Sequence, residues 1–349
     1  MIWTRKPSSA AGMLSSFGRV ATRLASLAWA PPPKPLRAPP RAVPKASIPP
    51  GRITEIPAFG SNPGGLRMLV YAPARPPRPG APLIVVLHGC RQGAEAFATD
   101  AGWLALADRL RIPLLLPEQS TLNNRHRCFN WYRPSDTGRG GGEAMSIRQM
   151  VRAATRHFGT DRRRLFIVGL SAGGAMAVAM LAAYPAVFAG GACVAGMPAG
   201  TASSGPMALL RMHRADPYRS RAGLVAAVHA SAPPRGKQPW PRLSIWQGEQ
   251  DRTVNPANAE VLAAQWSGLH GLDPDPATDA AVAPGIRRRT WGRAARPAVE
   301  LWTIAGLGHG FPIQQAAPGG GRPGPWVLEA GLPAARHIAA FWGIDPAMG

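Results

Sequence analysis

The residues best suited to chemistry in this chain are a serine, an aspartate and a histidine that stand far apart in the sequence. Ser171 lies in Gly169-Leu-Ser-Ala-Gly, between an apolar run typical of a buried strand and a helix-like segment. A sharp turn from strand to helix exposes such a serine as a nucleophile, and glycines on both sides leave it room. The alternative is an ordinary turn whose glycines serve packing alone, but the strand before it and the helix after it favour the catalytic interpretation.

A serine hydroxyl is a weak nucleophile until a base removes its proton. Around a turn of this kind, the acid and then the histidine follow the serine along the chain. His309 stands in a glycine-flanked loop directly after the apolar run 299–303, which can present an imidazole to a site. The other histidines after the serine fall in irregular segments or, like His337, in a helix-like one, so His309 is the predicted base.

The predicted acid is Asp251, which follows the strand-like segment 243–246. Active-site groups of open α/β sheets gather beyond such strand ends. Its carboxylate would accept the imidazole N–H and hold the histidine in the right tautomer. Glu249 is the competing carboxylate, whereas the aspartates between 273 and 279 lie in a proline-rich segment with no strand to position them.

The oxygen that becomes negative during attack on a carbonyl needs two N–H donors. One predicted donor is the backbone of Ala172, and the other is the backbone of Cys90, in the loop after the strand-like segment 82–87. His88, in the same loop, is expected to shape the turn.

Trp131 and Phe129 are candidates for the walls of an apolar substrate pocket, because ligand pockets are lined mainly by hydrophobic and aromatic side chains. The alternative for both is simple packing beneath their loop.

The elements that must position these residues alternate between strand-like and helix-like segments from residue 66 onward. The strand-like segments are 66–71, 82–87, 112–116, 165–168, 187–194, 243–246 and 299–303, and the helix-like ones are 96–110, 143–158, 174–184, 256–266 and 327–341. This alternation predicts an α/β fold with a mostly parallel sheet and helices on both faces. Segments 200–240 and 267–297 fit neither pattern and are predicted to be insertions over the sheet edge or a lid.

The simplest organisation is one catalytic domain, residues 55–349, after a basic leader, residues 1–54. The leader holds nine Lys and Arg residues and no Asp or Glu. Its pattern suits a basic amphipathic helix or a disordered segment better than a secretory signal, and its prolines predict an extended linker. No apolar run in the chain reaches the length of a membrane span.

The formal net charge of +22 comes almost entirely from arginine. Together with many Ala, Pro and Gly residues, this excess often reflects codon composition. Basic charge attracts anionic partners, but no basic–aromatic motif accompanies it, so no specific nucleic-acid partner is predicted. The competing function is a non-catalytic protein that its basic leader attaches to an anionic polymer or to granules. The pattern does not predict an oligomeric state.

The chain has three cysteines, too few for a disulfide scaffold. Cys90 and Cys128 both lie in segments predicted to be near the site, and one bridge between them can form if the protein is exported. Cys193 lies in an apolar stretch and is predicted to pack in the core.

Several motifs, in order over residues 57–312, make the chain resemble the polyhydroxybutyrate depolymerase family of esterases. They include Phe59-Gly-Ser-Asn-Pro-Gly-Gly, Leu87-His-Gly-Cys-Arg-Gln, Cys128-Phe-Asn-Trp, Gly169-Leu-Ser-Ala-Gly-Gly, Val194-Ala-Gly-Met-Pro and Trp246-Gln-Gly-Glu-Gln-Asp. The resemblance implies an α/β-hydrolase that cleaves short-chain esters or hydroxyalkanoate oligomers and polymer, without a metal or cofactor. It also places the triad on Ser171, Asp251 and His309 and the second oxyanion donor on Cys90. It implies an exported protein, with a cytoplasmic one as the alternative because the leader is a poor signal.

The chain departs from the family pattern in two places. Family members often read Trp-His-Gly where this chain has Trp246-Gln247-Gly248, a change expected to leave the chemistry untouched. Secreted polymer-degrading members usually carry a further substrate-binding domain, whereas this chain ends at Gly349. Soluble oligomers or small esters are therefore the expected substrates, and the feruloyl and acetylxylan esterases of the same family shape supply the alternative activities.

Overall fold

The computed structural model describes residues 48–345, except residues 218 and 235–237. Most of the predicted leader, residues 1–47, therefore lies outside the described residues. The first described strand runs over Arg52–Glu55, which places residues 52–54 of the predicted leader in the folded part. These residues belong there because the strand pairs antiparallel with residues 69–72.

The strands are numbered in chain order. They are β1 (Arg52–Glu55), β2 (Arg67–Ala72), β3 (Leu83–Leu87), β4 (Leu114–Glu118), β5 (Leu165–Leu170), β6 (Gly190–Val194), β7 (Arg242–Gly248), β8 (Thr278–Ala283), β9 (Ile286–Arg293), β10 (Arg296–Ile304), β11 (Phe311–Ile313) and β12 (Val327–Glu329).

The helices are numbered in the same way. They are α1 (Ala94–Asp100), α2 (Trp103–Leu110), α3 (Pro134–Thr137), α4 (Gly142–Phe158), α5 (Ala172–Ala183), α6 (Gly205–His213), α7 (Arg221–Ser231), α8 (Ala257–Leu269) and α9 (Ala334–Phe341). Within the described ranges, no helix has the length and apolar character needed to cross a membrane.

One large sheet organises the described part of the chain, in the strand order β1-β2-β4-β3-β5-β6-β7-β10-β9-β8. The six strands from β4 to β10 in that order are parallel, and the pairs at both edges are antiparallel. This topology confirms the predicted mostly parallel sheet.

The central strand β3 shows why the parallel strands read as continuous apolar runs. Leu83, Val85 and Leu87 contact the core on the face covered by α4, α5, α7 and α8. Ile84 and Val86 contact the core on the other face, which α1, α2 and α9 cover. Side chains alternate between the faces of a strand, so a strand covered on both sides buries every one of them.

Two predicted helices are shorter in the structure. The segment 96–110 divides into α1 and α2, because Gly102 between them has a left-handed backbone (φ 81°). A Cβ at that position would lie 2.7 Å from the carbonyl oxygen of Gly319. The closing segment 327–341 forms β12 and then α9, and α9 begins only after Pro333.

The segment 267–297 is not a lid. Residues 278–293 form the hairpin β8–β9, and β9 pairs antiparallel with β10, so the segment extends the sheet. The prediction failed because the hairpin reads as an irregular arginine-rich segment and β8 is exposed along its length. The segment 200–240 holds α6 and α7.

Candidate active site

The structure brings Ser171, Asp251 and His309 together beyond the carboxyl ends of three parallel strands. Ser171 follows β5, Asp251 follows β7 and His309 follows β10. His309 Nε2 lies 2.9 Å from Ser171 Oγ, and His309 Nδ1 lies 2.7 Å from Asp251 Oδ2. The sheet order therefore converts a separation of 138 residues along the chain into one hydrogen bond.

Ser171 has a strained backbone, with φ 56° and ψ −119°, at the turn from β5 into α5. Its N–H donates to the carbonyl of Val194 at 2.8 Å, which anchors the turn to β6. The neighbouring glycines are required by space: a Cβ on Gly169 would lie 2.2 Å from Gly173 O, and a Cβ on Gly173 would lie 2.5 Å from His88 O. Strain that the surrounding structure enforces in this way is common at functional sites.

Asp251 is nearly fully buried and accepts four hydrogen bonds. Oδ1 accepts the backbone N–H groups of Thr253 (2.8 Å) and Val254 (2.9 Å), and Oδ2 faces His309 Nδ1. Burial alone would raise the pKa of Asp251, but the hydrogen bond and charge of His309 and the two backbone N–H groups together hold this pKa below its ordinary value. The group is therefore an ionised acceptor for the imidazole at neutral pH.

The fourth hydrogen bond comes from Gln247, which sequence reasoning set aside. Gln247 Nε2 donates to Asp251 Oδ2 at 3.0 Å, and the side chain is buried. The expectation that this position leaves the chemistry untouched does not fit that contact. A signal was present, since Gln247 lies at the carboxyl end of β7, four residues before the acid.

Replacing Gln247 with leucine is expected to lower kcat for ester hydrolysis about tenfold and to leave KM nearly unchanged. The Asp251 carboxylate would lose one of its hydrogen-bond donors, and with it about 1–2 kcal/mol of stabilisation in its working position. The matched variant Gln247→His supplies a ring N–H donor in place of the amide and should retain most of the activity. A leucine variant with wild-type kcat would show that Gln247 does not position Asp251.

Cys90 and Ala172, the predicted oxyanion donors, both line the cavity that contains Ser171. Ala172 is the first residue of α5, so its N–H has no acceptor within the helix. In the β3 loop, the N–H of Gly89 donates to Gln92 Oε1 and that of Arg91 to His126 O. The Cys90 N–H has no acceptor among the described residues and is free for a ligand.

A disulfide joins Cys90 to Cys128 and so ties the β3 loop to the segment 119–131. The hydrogen bond from Arg91 N to His126 O (2.7 Å) lies beside it. Both half-cystines line the Ser171 cavity, whereas Cys193 is a free buried thiol, in the core on one face of the sheet.

His88 has the structural surroundings of a turn residue. It is fully buried, its Nδ1 donates to Gly89 O (2.7 Å) and its Nε2 accepts the N–H of Gln119 (3.1 Å). Burial lowers the pKa of His88 to about 4, so the ring is neutral at neutral pH. With both nitrogens occupied and no contact with Ser171, the ring is not placed to act as the base.

Glu143 holds the segment 119–131 in place from inside the protein. Its side chain is buried, and it accepts hydrogen bonds from Gln119 Nε2 (2.5 Å), Asn130 Nδ2 (2.7 Å) and Asn130 N (2.9 Å). In the sequence, Glu143 follows a run of glycines at the start of a helix-like segment, a position that by itself indicates no more than a first-turn helix carboxylate. The partners come from a segment distant in sequence, and no local pattern reveals them.

Burial raises the pKa of Glu143 from 4.5 to about 7, against the hydrogen bonds that lower it. The folded protein therefore binds a proton between pH 4.5 and 7 that the unfolded chain does not. This contribution to stability is complete below pH 4.5 and is lost as the pH rises through about 7, and it amounts to about 3 kcal/mol.

Unfolding in urea, measured at pH 5 and at pH 8, gives the change in unfolding free energy between the two pH values. This free energy should fall more from pH 5 to pH 8 in the wild type than in Glu143→Gln, because the variant has no carboxyl group to titrate at this position. The absolute stability of the variant is not the test, because its amide also faces the N–H of Asn130. Equal pH slopes for the two proteins would contradict the raised pKa.

The cavity at Ser171 has a volume of about 410 Å³ and mainly apolar walls. Trp131, Met197, Leu209 and Met212 are among the residues that line it. Phe129 does not line it, which corrects its assignment as a pocket wall. Its ring is fully buried in the core and packs against His88, with the ring centroids 5.0 Å apart.

Comparison with known proteins identifies the family that the sequence motifs resemble. The family described as esterase PHB depolymerase matches residues 66–289. Poly(3-hydroxyalkanoate) depolymerase C of Paucimonas lemoignei is 37% identical over 84% of this chain and 70% of its own length. Acetylxylan esterase of Coprinopsis cinerea is 30% identical over 77% of this chain and 72% of its own.

Among solved structures, the acetyl xylan esterase from Aspergillus awamori superposes with a TM-score of 0.70 at 21% identity. The match covers 84% of this chain and all of that one. This likeness supports the α/β-hydrolase fold.

Proposed function

The chain belongs to the PHB depolymerase family of esterases and is a carboxylic ester hydrolase, and from this premise we propose that it works through an acyl-enzyme on Ser171. The observation that carries the proposal is the hydrogen-bonded series Ser171, His309 and Asp251, with Ser171 in the wall of an apolar cavity. The proposed substrates are short-chain esters and hydroxyalkanoate oligomers, because the cavity offers mainly apolar contact to an acyl chain.

In the proposed first half-reaction, Ser171 Oγ attacks the ester carbonyl carbon while His309 Nε2 takes the hydroxyl proton. The carbonyl oxygen becomes negative and accepts the N–H groups of Cys90 and Ala172. Asp251 holds the Nδ1–H of His309 and stabilises the imidazolium. Collapse of the intermediate breaks the ester C–O bond, and the leaving alcohol takes the proton from His309.

In the second half-reaction, a water molecule replaces the alcohol. His309 Nε2 takes a proton from this water as its oxygen attacks the acyl carbon. Collapse of the second tetrahedral intermediate breaks the bond to Ser171 Oγ, which recovers its proton from His309. The products are a carboxylic acid and the original enzyme, so the cycle needs one water and no other reactant.

A labelling experiment tests the nucleophile without mutation. A fluorophosphonate probe should modify the protein once and stop the release of p-nitrophenol from p-nitrophenyl butyrate. Peptide mass spectrometry should then place the modification on Ser171. A label on another residue, with activity lost in parallel, would overturn the assignment.

An ester panel tests the substrate class. It should include hydroxybutyrate oligomers, polymer film, a feruloyl sugar and acetylated xylan, the last because an acetylxylan esterase is among the relatives. We expect the highest kcat/KM on the oligomers and on butyrate esters. A higher value on acetylated xylan would reassign the chain to the carbohydrate esterases.

We also propose that the protein works outside the cytoplasm, because the Cys90–Cys128 disulfide suits an oxidising compartment. The natural protein, unfolded in denaturant, should then show one titratable thiol, that of Cys193, and three after reduction. Three thiols before reduction would contradict this location.

A further inference from the structure

A second cavity, of about 740 Å³, lies at the opposite end of β7 from the candidate active site. Arg242, the first residue of β7, lines this cavity, whereas Asp251 follows the last residue of the strand. The rest of the wall comes mostly from β9, β10, the turn between them and α9. No residue lines both this cavity and that of Ser171, so the two are separate sites.

The charges around this cavity do not balance. Three arginines, Arg242, Arg288 and Arg296, line it with a single carboxylate, Glu300. Glu300 is buried and already engaged, because Oε1 accepts from Ser244 Oγ (2.6 Å) and Oε2 from Arg288 Nε (2.8 Å). Arg288 is thereby neutralised, whereas Arg242 and Arg296 form no ion pair with any described carboxylate.

Arg242 is fixed in place without using its terminal donors. Its guanidinium lies 4.1 Å from the centre of the Phe341 ring, and its Nε donates to Pro297 O at 2.8 Å. The terminal nitrogens have no hydrogen-bond acceptor within the described part of the chain. Burial, the nearby Arg296 and, to a smaller extent, Arg288 lower the pKa of Arg242 to about 10 against the attraction of Glu300. An anion beside it would relieve this unfavourable charge.

The remaining wall is uncharged and in part aromatic. Trp302 is stacked on Trp246 and Trp342 on Phe166, so these two rings present mainly their edges to the cavity. Trp302, Phe341 and Trp342 line the cavity beside His337, whose ring centre lies 5.1 Å from that of Trp302. Burial, followed by the charges of Arg288 and Arg336, lowers the pKa of His337 to about 4 against the opposing effect of Asp345. His337 is therefore neutral at neutral pH and adds an uncharged ring to the wall.

We propose that this cavity binds a small aromatic carboxylate, with the carboxylate at Arg242 and Arg296 and the ring against the aromatic wall. Guanidinium groups match a carboxylate with paired hydrogen bonds, and ring edges of the wall suit an edge-to-face contact with a bound ring. The cavity is large enough for a ligand of this class. The inference goes beyond the proposed function, since it requires neither an ester nor Ser171.

Benzoate is the probe, and isothermal titration calorimetry on the whole protein is the measurement. Benzoate should bind saturably, and benzamide (the ring without the charge) and inorganic phosphate (the charge without the ring) should each bind at least about tenfold more weakly. Arg242→Gln and Arg296→Gln should each weaken benzoate binding by about tenfold or more. Arg296 is exposed, so its replacement tests the site even if Arg242→Gln destabilises the fold.

The control is Arg152→Gln, which removes the same charge from the exposed face of α4 and should leave benzoate binding unchanged. Ser171→Ala should also keep it, and loss of binding in that variant would move the benzoate to the active-site cavity and overturn the proposal. Equal affinity for benzamide or phosphate, or wild-type affinity in both arginine variants, would overturn it as well.

Discussion

Replacing Ser171 with alanine is expected to lower kcat for p-nitrophenyl butyrate by about 10⁴-fold or more. The variant keeps the backbone and the two oxyanion donors but loses the oxygen that His309 Nε2 faces at 2.9 Å. No other nucleophile can then form the acyl-enzyme, and only binding and oxyanion stabilisation would remain. Steady-state rates with a chromogenic ester measure the loss directly.

The fold should survive this change, because alanine keeps the Cβ that already occupies the strained conformation at φ 56°. The far-ultraviolet circular dichroism spectrum should be unchanged and Tm should shift little. Ser203→Ala, at an exposed serine, is the matched control and should retain full activity. Residual activity of Ser171→Ala within a few-fold of wild type would refute Ser171 as the nucleophile.

Replacing Asp251 with asparagine is expected to lower kcat by about 10³–10⁴-fold with little change in KM. Oδ1 must still accept the N–H groups of Thr253 and Val254, so the new amide nitrogen takes the place of Oδ2. There it would face His309 Nδ1 as a donor. The imidazole would then carry its proton on Nε2 and could not accept the proton of Ser171.

Glu249→Gln supplies the control for this second variant, because Glu249 is the competing carboxylate two residues away. Its side chain is exposed, and its replacement should change kcat less than twofold. If Glu249→Gln lost activity and Asp251→Asn did not, the acid would be Glu249. Gln247→Leu combined with Asp251→Asn should cost little more than Asp251→Asn alone, because Gln247 acts through the carboxylate.

The sheet could be predicted in outline because its signals are local. Strands buried on both faces, such as β3, read as unbroken apolar runs, and helices between them show their own period. The hairpin β8–β9 escaped prediction because the arginine-rich β9 is held by pairing with β10, and β8 pairs only with β9 and is exposed along its length. The division of the segment 96–110 depended on the close approach of Gly102 to Gly319.

Some residues of the candidate site could also be predicted from the sequence, and others could not. Ser171, Asp251 and His309 could each be selected from the primary structure, because each follows a recognisable strand and strand ends share one edge of a parallel sheet. Glu143 and Phe129 could not, since their roles depend on which distant segment packs against them, whereas Gln247 stands close enough to Asp251 in the chain to have been considered. Hydrogen bonds such as Glu143 to Asn130 leave no periodic trace in the chain.

Chain order and local patterning thus established the fold class and three side chains suited to nucleophilic chemistry. Folding alone settled how those side chains are supported, which ring reaches the cavity and where uncompensated arginines gather at the far end of β7. The physical reason is the separation along the chain over which each kind of interaction acts. Backbone preferences and burial patterns act between near neighbours, whereas hydrogen-bond partners, cavity walls and unpaired charges arise only where distant segments meet.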